Sequence, residues 1–394
     1  MAEEEPLLPA EDPPEPPDAH WRNGAAFWIL GLCNNLPYVL MLSAARDILD
    51  TPRAGQVPAP PPNGSRYDCN PVSTGAVLLA DILPTLLLKL AAPFVVHLLP
   101  YNARVIAAAL CAWGSFALVT RGAGAAVSLG GVVLASAASG LGEVTFLALA
   151  GFYPRVGVAC WSSGTGGAGL GGALGYGALL QAGLPLRHAL LPALALPLLT
   201  LLSYFFLLRP PPRPTEPPPP AVGLTPGEKW RVVKGVARHA TPLAVVYFAE
   251  YFINQGLLEL LYFPASALTH DEQYRWYQLL YQAGVFVSRS SLRCLRLRRV
   301  WVLALLQVLN AVVLSVAVAV PFLPALGVAF AIVGGEGAVG GAAYANALLN
   351  VAEEAPPEGR EFAMTVASVA DTAGIALAGG AALGVHRLFC PAPP

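Results

Sequence analysis

Apolar runs of about 20 residues, the length at which a helix spans a bilayer, recur eleven times along this chain. They lie near 22–44, 75–97, 104–121, 126–150, 161–182, 188–208, 239–263, 274–291, 300–320, 325–349 and 362–387. A membrane barrel would show shorter stretches of about 10 alternating residues. Only 12% of the 394 residues are charged, against roughly 25% in a soluble domain. A water-facing fold of this size would lack the polar surface to cover itself. These features predict an all-α polytopic membrane protein whose main partner is the lipid bilayer, and they exclude a soluble enzyme. The net charge is −1, and no arginine-rich domain with interleaved aromatics appears, so no nucleic-acid partner is expected.

The longest insert, 209–236, divides six spans from five. Two helical bundles about a midplane site is the outline of a major-facilitator-like carrier. Lysine and arginine set the orientation. Arg209, Arg213, Lys229, Arg231, Lys234 and Arg238 crowd the insert, and Arg289, Arg293, Arg296, Arg298 and Arg299 follow the eighth span. Both clusters come after an even number of spans, so they share the cytosolic side with the N-terminus, and the C-terminus falls in the lumen.

The expected organisation is a disordered cytosolic tail (1–20), a six-helix bundle (21–208) with a luminal loop (46–74), a Pro-rich cytosolic linker (209–236), a five-helix bundle (237–388) and a luminal tail (389–394). Asn63-Gly64-Ser65 in that luminal loop is a glycosylation acceptor. No basic n-region or cleavage box precedes the first span, so that span is read as the insertion signal. The cysteines at 33, 69, 111, 160, 294 and 390 have no paired spacing, which speaks against a disulfide framework and leaves Cys69 and Cys390 open.

Gly164-Thr165-Gly166-Gly167-Ala168-Gly169 satisfies the dinucleotide fingerprint. It sits inside an apolar span with no acid after it, so the nucleotide reading fails. Gly167, Gly171 and Gly175 continue it as a small-xxx-small pattern for close helix packing, as do Gly337 and Gly341. Ser162, Ser163 and Thr165 add hydroxyls beside that flexible backbone. The six histidines lack His-x-x-x-His spacing, no Cys pairs with them, and no nucleophile elbow is present. No metal, cofactor or enzymatic activity is expected.

Ionisable residues at membrane depth are the stronger signal, because each costs at least about 2.5–3.5 kcal/mol at a helix centre and so faces a cavity or a partner. They are Asp81, Lys89, Glu143, Glu250, Glu336 and Asp371, with Glu259 and Arg289 nearer span ends. Asp81 paired with Lys89, two turns on, is the structural alternative to a functional role. Glu143, Glu250 and Asp371 are the candidates for proton coupling. Glu250, Asn254 and Gln255 bring acid and amides together on the seventh span. Tyr274, Tyr277 or Gln278, Tyr281 or Gln282, Ser288 and Arg289 make a polar stripe on the eighth. Such a stripe suits a polyhydroxylated ligand, with Arg289 or Lys89 available to a phosphate. Asn34 and Asn35 in the first span complete the candidate ligand-facing set.

At the N-terminus, Glu3 lies four residues before Leu7-Leu8. This resembles the acidic dileucine signal that clathrin adaptors read.

Longer strings resemble the battenin family. They are Leu-Gly-Leu-Cys-Asn-Asn (30–35), Ser-Gly-Leu-Gly-Glu-Val-Thr-Phe (139–146), Trp-Ser-Ser-Gly-Thr-Gly-Gly-Ala-Gly (161–169), Glu-Tyr-Phe-Ile-Asn-Gln-Gly (250–256), Gln-Tyr-Arg-Trp-Tyr-Gln (273–278), Tyr-Gln-Ala-Gly-Val-Phe (281–286) and Ser-Arg-Ser-Ser-Leu-Arg (288–293). The resemblance runs from about His20 to Cys390. It implies a late-endosomal and lysosomal membrane protein of major-facilitator-like fold. It also implies export of glycerophosphodiesters, such as glycerophosphoglycerol, from lumen to cytosol, in support of phospholipid catabolism. Glu250, Arg289 and Asp371 match positions where family members carry disease substitutions. Some members carry a dileucine in the loop corresponding to 209–236; this loop has none, which leaves sorting to Glu3–Leu8. Two other expectations stand beside export. One is a non-transporting scaffold for post-Golgi trafficking, autophagy and lysosomal pH, recruiting adaptors and small GTPases. The other is a proton-coupled carrier of basic amino acids.

Overall fold

A computed structural model of the chain describes residues 17–50, 74–95, 98–121, 125–153, 155–181, 191–210 and 224–390. Asn63, Cys69, Glu3, Leu7 and Leu8 lie outside the described residues. Eleven helical spans follow in chain order among those described. The first five are α1 (Pro17–Asp50), α2 (Thr74–Val95), α3 (Tyr101–Arg121), α4 (Ala125–Ala150) and α5 (Val156–Gln181). Next is a composite span, in which a 3-10 turn (Leu191–Ala195) leads into α6 (Leu196–Leu202) and a π turn (Ser203–Leu207). The rest are α7 (Pro226–Phe252), continued by a π turn (Ile253–Leu257), then α8 (His270–Ser290), α9 (Val300–Ala319), α10 (Leu326–Glu354) and α11 (Arg360–Phe389).

Several ends differ from the hydropathy reading. Helix α1 begins at Pro17, inside the expected tail, and α7 begins at Pro226 rather than near 239, which takes the end of the expected linker into helix. Hydropathy misses the first turns of α7 because Lys229, Arg231, Lys234 and Arg238 lie there. Capping chemistry starts the helix instead. The Thr225 hydroxyl accepts from the Glu228 N–H while the Glu228 carboxylate accepts from the Thr225 N–H, with Pro226 in the first turn. Those bonds to the Thr225 backbone and hydroxyl hold the Glu228 carboxyl below the usual carboxylate range. Thr269 and Glu272 build the same box at α8. At the other end of α7, the regular helix stops at Phe252 and the π turn at Leu257, short of 263.

Among the described residues, six spans are long and apolar enough to cross a membrane by length and composition: α2, α3, Gly130–Ala150 of α4, α9, α10, and α11 with its preceding turn. Helix α9 turns Leu305, Leu309, Val312 and Val316 outward. Apolar side chains so placed would be an aggregation surface in water, and they fit lipid. Helix α8 is inverted relative to a soluble amphipathic helix. Its buried residues Gln273, Tyr277, Tyr281, Val285 and Arg289 recur every fourth position, while Trp276 and Val287 are exposed.

The helices sort into two halves. In the first, α1 packs on α5 and α4, and α3 on α4; in the second, α7 packs on α11 and α9, and α8 on α10. The halves meet along α2–α11 and α5–α8, with α4–α11 and α5–α10 beside them. Exchanging the halves by a shift of six helices turns the first of these pairs into the second, as expected of structural repeats.

Glycines permit the tightest crossings. A side chain at Gly284 would strike the Gly334 carbonyl, one at Gly337 the Tyr281 carbonyl, and one at Gly341 Val285, which locks α8 to α10. On α5 the face against α1 is Gly164, Ala168 and Gly172, which abut the Trp28 backbone, the interior and Val39. The expected Gly167–Gly171–Gly175 face is not the packing face, since Gly171 and Gly175 have open space beside them. Cys33, Cys111 and Cys294 are free thiols, and Cys390 is disulfide-bonded.

Candidate functional site

The halves enclose a cavity of about 70 Å³, room for roughly five waters. Its wall is assembled by one-turn steps on helices from both sides. The first half supplies Asn34, Asn35 and Tyr38 from α1, Thr85 and Lys89 from α2, Ser139 and Glu143 from α4, and Trp161 and Thr165 from α5. The second half supplies Tyr247 and Tyr251 from α7, Arg289 from α8, Tyr344 from α10, and Asp371 and Thr372 from α11.

Lys89 is 1% exposed and joins the halves. Its ammonium lies 2.8 Å from Glu143 Oε2 and 3.3 Å from Asp371 Oδ1. It also donates to the Ser368 carbonyl at 2.8 Å and the Thr372 hydroxyl at 2.7 Å. A buried cation needs this density of partners to offset its lost hydration. The alternative pair, Asp81 with Lys89, does not form. Asp81 accepts instead from Ser136 Oγ at 2.6 Å, because α4 rather than the next turns of α2 faces it.

Arg289 is held differently. One guanidinium nitrogen donates to Thr165 Oγ1 at 2.8 Å and another to the Tyr247 hydroxyl at 3.0 Å. The planar group lies 4.2 Å from the Tyr344 ring centroid, a cation–π geometry. The Trp161 indole N–H donates to Tyr344 Oη at 3.1 Å and fixes that ring. Arg289 Nε is buried without a hydrogen-bond partner, and no ion pair among the described residues includes Arg289. The cavity therefore carries a guanidinium with no direct ion-pair partner, beside hydroxyls and amides. Asn34 and Asn35 donate to the carbonyls of Ser139 at 3.2 Å and Thr165 at 3.0 Å. An arginine so held offers N–H donors and charge to an anion.

Seven of the expected residues line this cavity: Asn34, Asn35, Lys89, Glu143, Thr165, Arg289 and Asp371. The others stand outside its wall. Ser163 bonds to Trp28 and Ser290, Gln282 lies against Gly169, and Ser162 is buried within α5. Gln255 is buried at the α7 end, where its carbonyl accepts from Thr74. Glu250, Asn254, Tyr281 and Glu336 gather inside the second half. Hydropathy reading missed Tyr38, Thr85, Ser139, Trp161, Tyr247, Tyr251, Tyr344 and Thr372. The signal that finds half of them is one helical turn from an expected residue: Tyr38 follows Asn34 by four residues, while Thr85 precedes Lys89, Ser139 precedes Glu143 and Trp161 precedes Thr165 by four.

Further contacts bridge the halves at both ends. Where α2–α3, α4–α5 and α10–α11 connect, Arg104 pairs with Glu361 at 2.8 Å and Arg155 with Glu353 at 2.7 Å. Arg360 donates there to the Gly151 carbonyl at 3.3 Å. At the opposite end the Thr74 hydroxyl donates to Glu259 Oε2 at 2.7 Å and the Gln255 carbonyl at 2.6 Å.

Residues 25–218 and 220–392 match the family described as CLN3 protein. The chain belongs to the CLN3 family. Within it, battenin of Canis lupus familiaris is 52% identical over 422 aligned residues, covering 99% of this chain and 96% of that protein. Protein BTN1 of Yarrowia lipolytica is 38% identical, covering 93% and 94%. Among solved structures, the human organic anion transporter MFSD10 (TETRAN) superposes with TM-score 0.65 at 17% identity, over 96% of this chain and 95% of that one. A bacterial homolog of the human lysosomal transporter Spinster, inward-facing and unoccupied, gives TM-score 0.55 at 15% identity, over 93% and 82%. These likenesses make the CLN3-family chain a multi-pass membrane protein of major-facilitator-like fold.

Proposed function

We propose that this CLN3-family chain is a lysosomal carrier that exports glycerophosphodiesters from lumen to cytosol by alternating access. The observation that carries the reading is the Arg289 guanidinium where the halves meet, held by hydroxyls and an aromatic face with no direct ion pair and with Nε free of any hydrogen-bond partner. A glycerophosphodiester brings one negative charge for it and several hydroxyls for Asn34, Asn35, Thr165 and Thr372. Similarity in fold to an organic anion transporter agrees with that charge, and similarity to a homolog of a lysosomal transporter agrees with the compartment.

A cavity of about 70 Å³ is well below the roughly 300 Å³ at which ligand pockets begin. Admission therefore requires the halves to part at one end while contacts at the other hold. A basic amino acid fits less well, since its cation would meet Arg289 while Lys89 already engages both cavity acids.

In this reading the ends bearing Arg104, Arg155 and Arg296 face the cytosol, and the C-terminus faces the lumen. A disulfide at Cys390 suits an oxidising compartment. Asn63 would carry glycan there, and Glu3, Leu7 and Leu8 would meet clathrin adaptors in the cytosol. The test is uptake of labelled glycerophosphoglycerol by liposomes that hold the purified protein, with a pH gradient imposed. Saturable flux is expected; folded protein without ligand-dependent flux rejects the carrier reading.

A further inference from the structure

Away from the cavity, the second half holds two buried carboxyl groups, Glu250 on α7 at 1% exposure and Glu336 on α10 at 0%. A Cβ at Gly340 would strike Glu250 Oε2. Gly340 lies one turn after Glu336, so the Glu250 carboxyl rests on the α10 surface next to Glu336; positions so spaced have Cβ atoms about 5–6 Å apart. No ion pair among the described residues includes either acid.

Neutral groups surround them. Tyr281 on α8 donates to Glu250 Oε1. Gln307 on α9 donates to Glu336 Oε1 at 2.6 Å, and Asn254 to both Glu336 oxygens at 3.4 Å. Two oxygens are left with no partner: Glu250 Oε2, and the amide oxygen of Gln307, a residue that is itself 0% exposed. The set thus has an excess of acceptors and no cation in direct contact. Two adjacent carboxylates in a dry bundle do not both carry charge without one. A hard metal ion such as calcium or magnesium takes about six or more oxygens, whereas the other oxygens here already accept from N–H or O–H groups. A proton needs one carboxyl oxygen and one acceptor.

We propose that Glu250 and Glu336 form a proton-binding site inside the second half, separate from the central cavity and connected to it through α8. Tyr281, which touches Glu250, and Arg289, which faces the cavity, are two turns apart on the same buried stripe of α8. Tyr247, which holds Arg289, stands one turn before Glu250 on α7. The charged and titratable groups around the pair are Tyr281 and Arg289 from α8, Tyr247 and Tyr251 from α7 and Asp371 from α11; α9 contributes the uncharged Gln307. What the proton would drive rests on the carrier reading, but the existence of the site does not.

Infrared difference spectroscopy on the full-length protein in lipid nanodiscs tests it without any transported ligand. At neutral pH, subtracting the spectrum of E250Q/E336Q from wild type should leave a buried carboxylic-acid carbonyl band. Y281F, which keeps both carboxyls, should shift that band. Exchange of potassium for sodium should leave it in place. Absence of the band in the difference spectrum, or no response to Y281F, overturns the proposal. Loss of the band on adding sodium overturns it in favour of a metal-ion site. A band without glycerophosphoglycerol flux would remove the carrier reading and keep the site, and flux without a band would do the reverse.

Discussion

Lys89 and Arg289 face one cavity from opposite halves, Lys89 among carboxylates and Arg289 among hydroxyls and an aromatic face. An ammonium is a compact, strongly hydrated charge, and burying it requires anionic partners, which Glu143 and Asp371 provide from both halves. A guanidinium is more weakly hydrated, spreads its charge over a plane and can be stacked. It can therefore be buried by neutral groups and keep its charge free for a ligand. The lysine side joins the halves through ion pairs; the arginine side joins them through the neutral Thr165 hydroxyl and leaves its charge without a direct ion pair. The same rule separates the four acids. Glu143 and Asp371 share a fixed cation in direct contact, whereas Glu250 and Glu336 have only neutral hydrogen-bond donors and no direct ion pair.

The largest effect should come from Lys89→Met. Removing one member of a buried charge set strands the others, at about 3–5 kcal/mol. Thermal unfolding in detergent should show that loss, and K89M/E143Q/D371N should recover most of it by removing the stranded charges. A K89M protein as stable as wild type would end the view of Lys89 as the clamp. Arg289→Gln removes charged hydrogen bonds to a bound anion, worth about 1.5–3 kcal/mol each, so glycerophosphodiester uptake should fall by roughly 10- to 100-fold. Arg289→Lys should recover little, because a lysine cannot stack on Tyr344 and reach Thr165 and Tyr247 at once. If R289Q lowers stability as much as K89M does and leaves ligand affinity unchanged, the contrast between the two cations fails. Gly340→Ala pushes a methyl group into the Glu250 carboxyl. Overpacking of that kind costs about 1–3 kcal/mol. Gly171→Ala, on an open face, should be neutral or slightly stabilising.

How much of this could be read along the chain depended on range. The eleven spans come from local hydropathy, and the inward stripe of α8 from one-turn periodicity, so both are visible in a linear sequence. The partner of Lys89 is not, because Asp371 is 282 residues away and the choice between it and Asp81 is made by which helix packs against α2. The α7 start was hidden for another reason. A hydropathy window ends where lysines and arginines begin, but a helix outside the lipid continues until a cap stops it. Glu250 and Glu336 are both legible as costly membrane acids, yet their proximity shows only where Gly340 receives the Glu250 carboxyl.

The smallest effect concerns that hidden start and serves as a control on the cavity. Thr225→Ala removes the hydroxyl from the capping box of α7, a loss of about 1 kcal/mol for a typical helix cap. Glu228, the other half of the box, is held below the usual carboxylate range by the Thr225 backbone and hydroxyl. Its folded value lies below its unfolded one, so its contribution is present above the unfolded value and fades as pH falls through the folded one. Amide exchange of residues 227–230, corrected for intrinsic rates, should therefore lose protection on acidification in wild type and much less in T225A. Uptake should not change, because α7 reaches the cavity only at Tyr247, about six turns later. Should T225A weaken uptake as strongly as R289Q, the start of α7 would belong to the ligand machinery, and the arginine side of the cavity could no longer be treated as a site complete in itself.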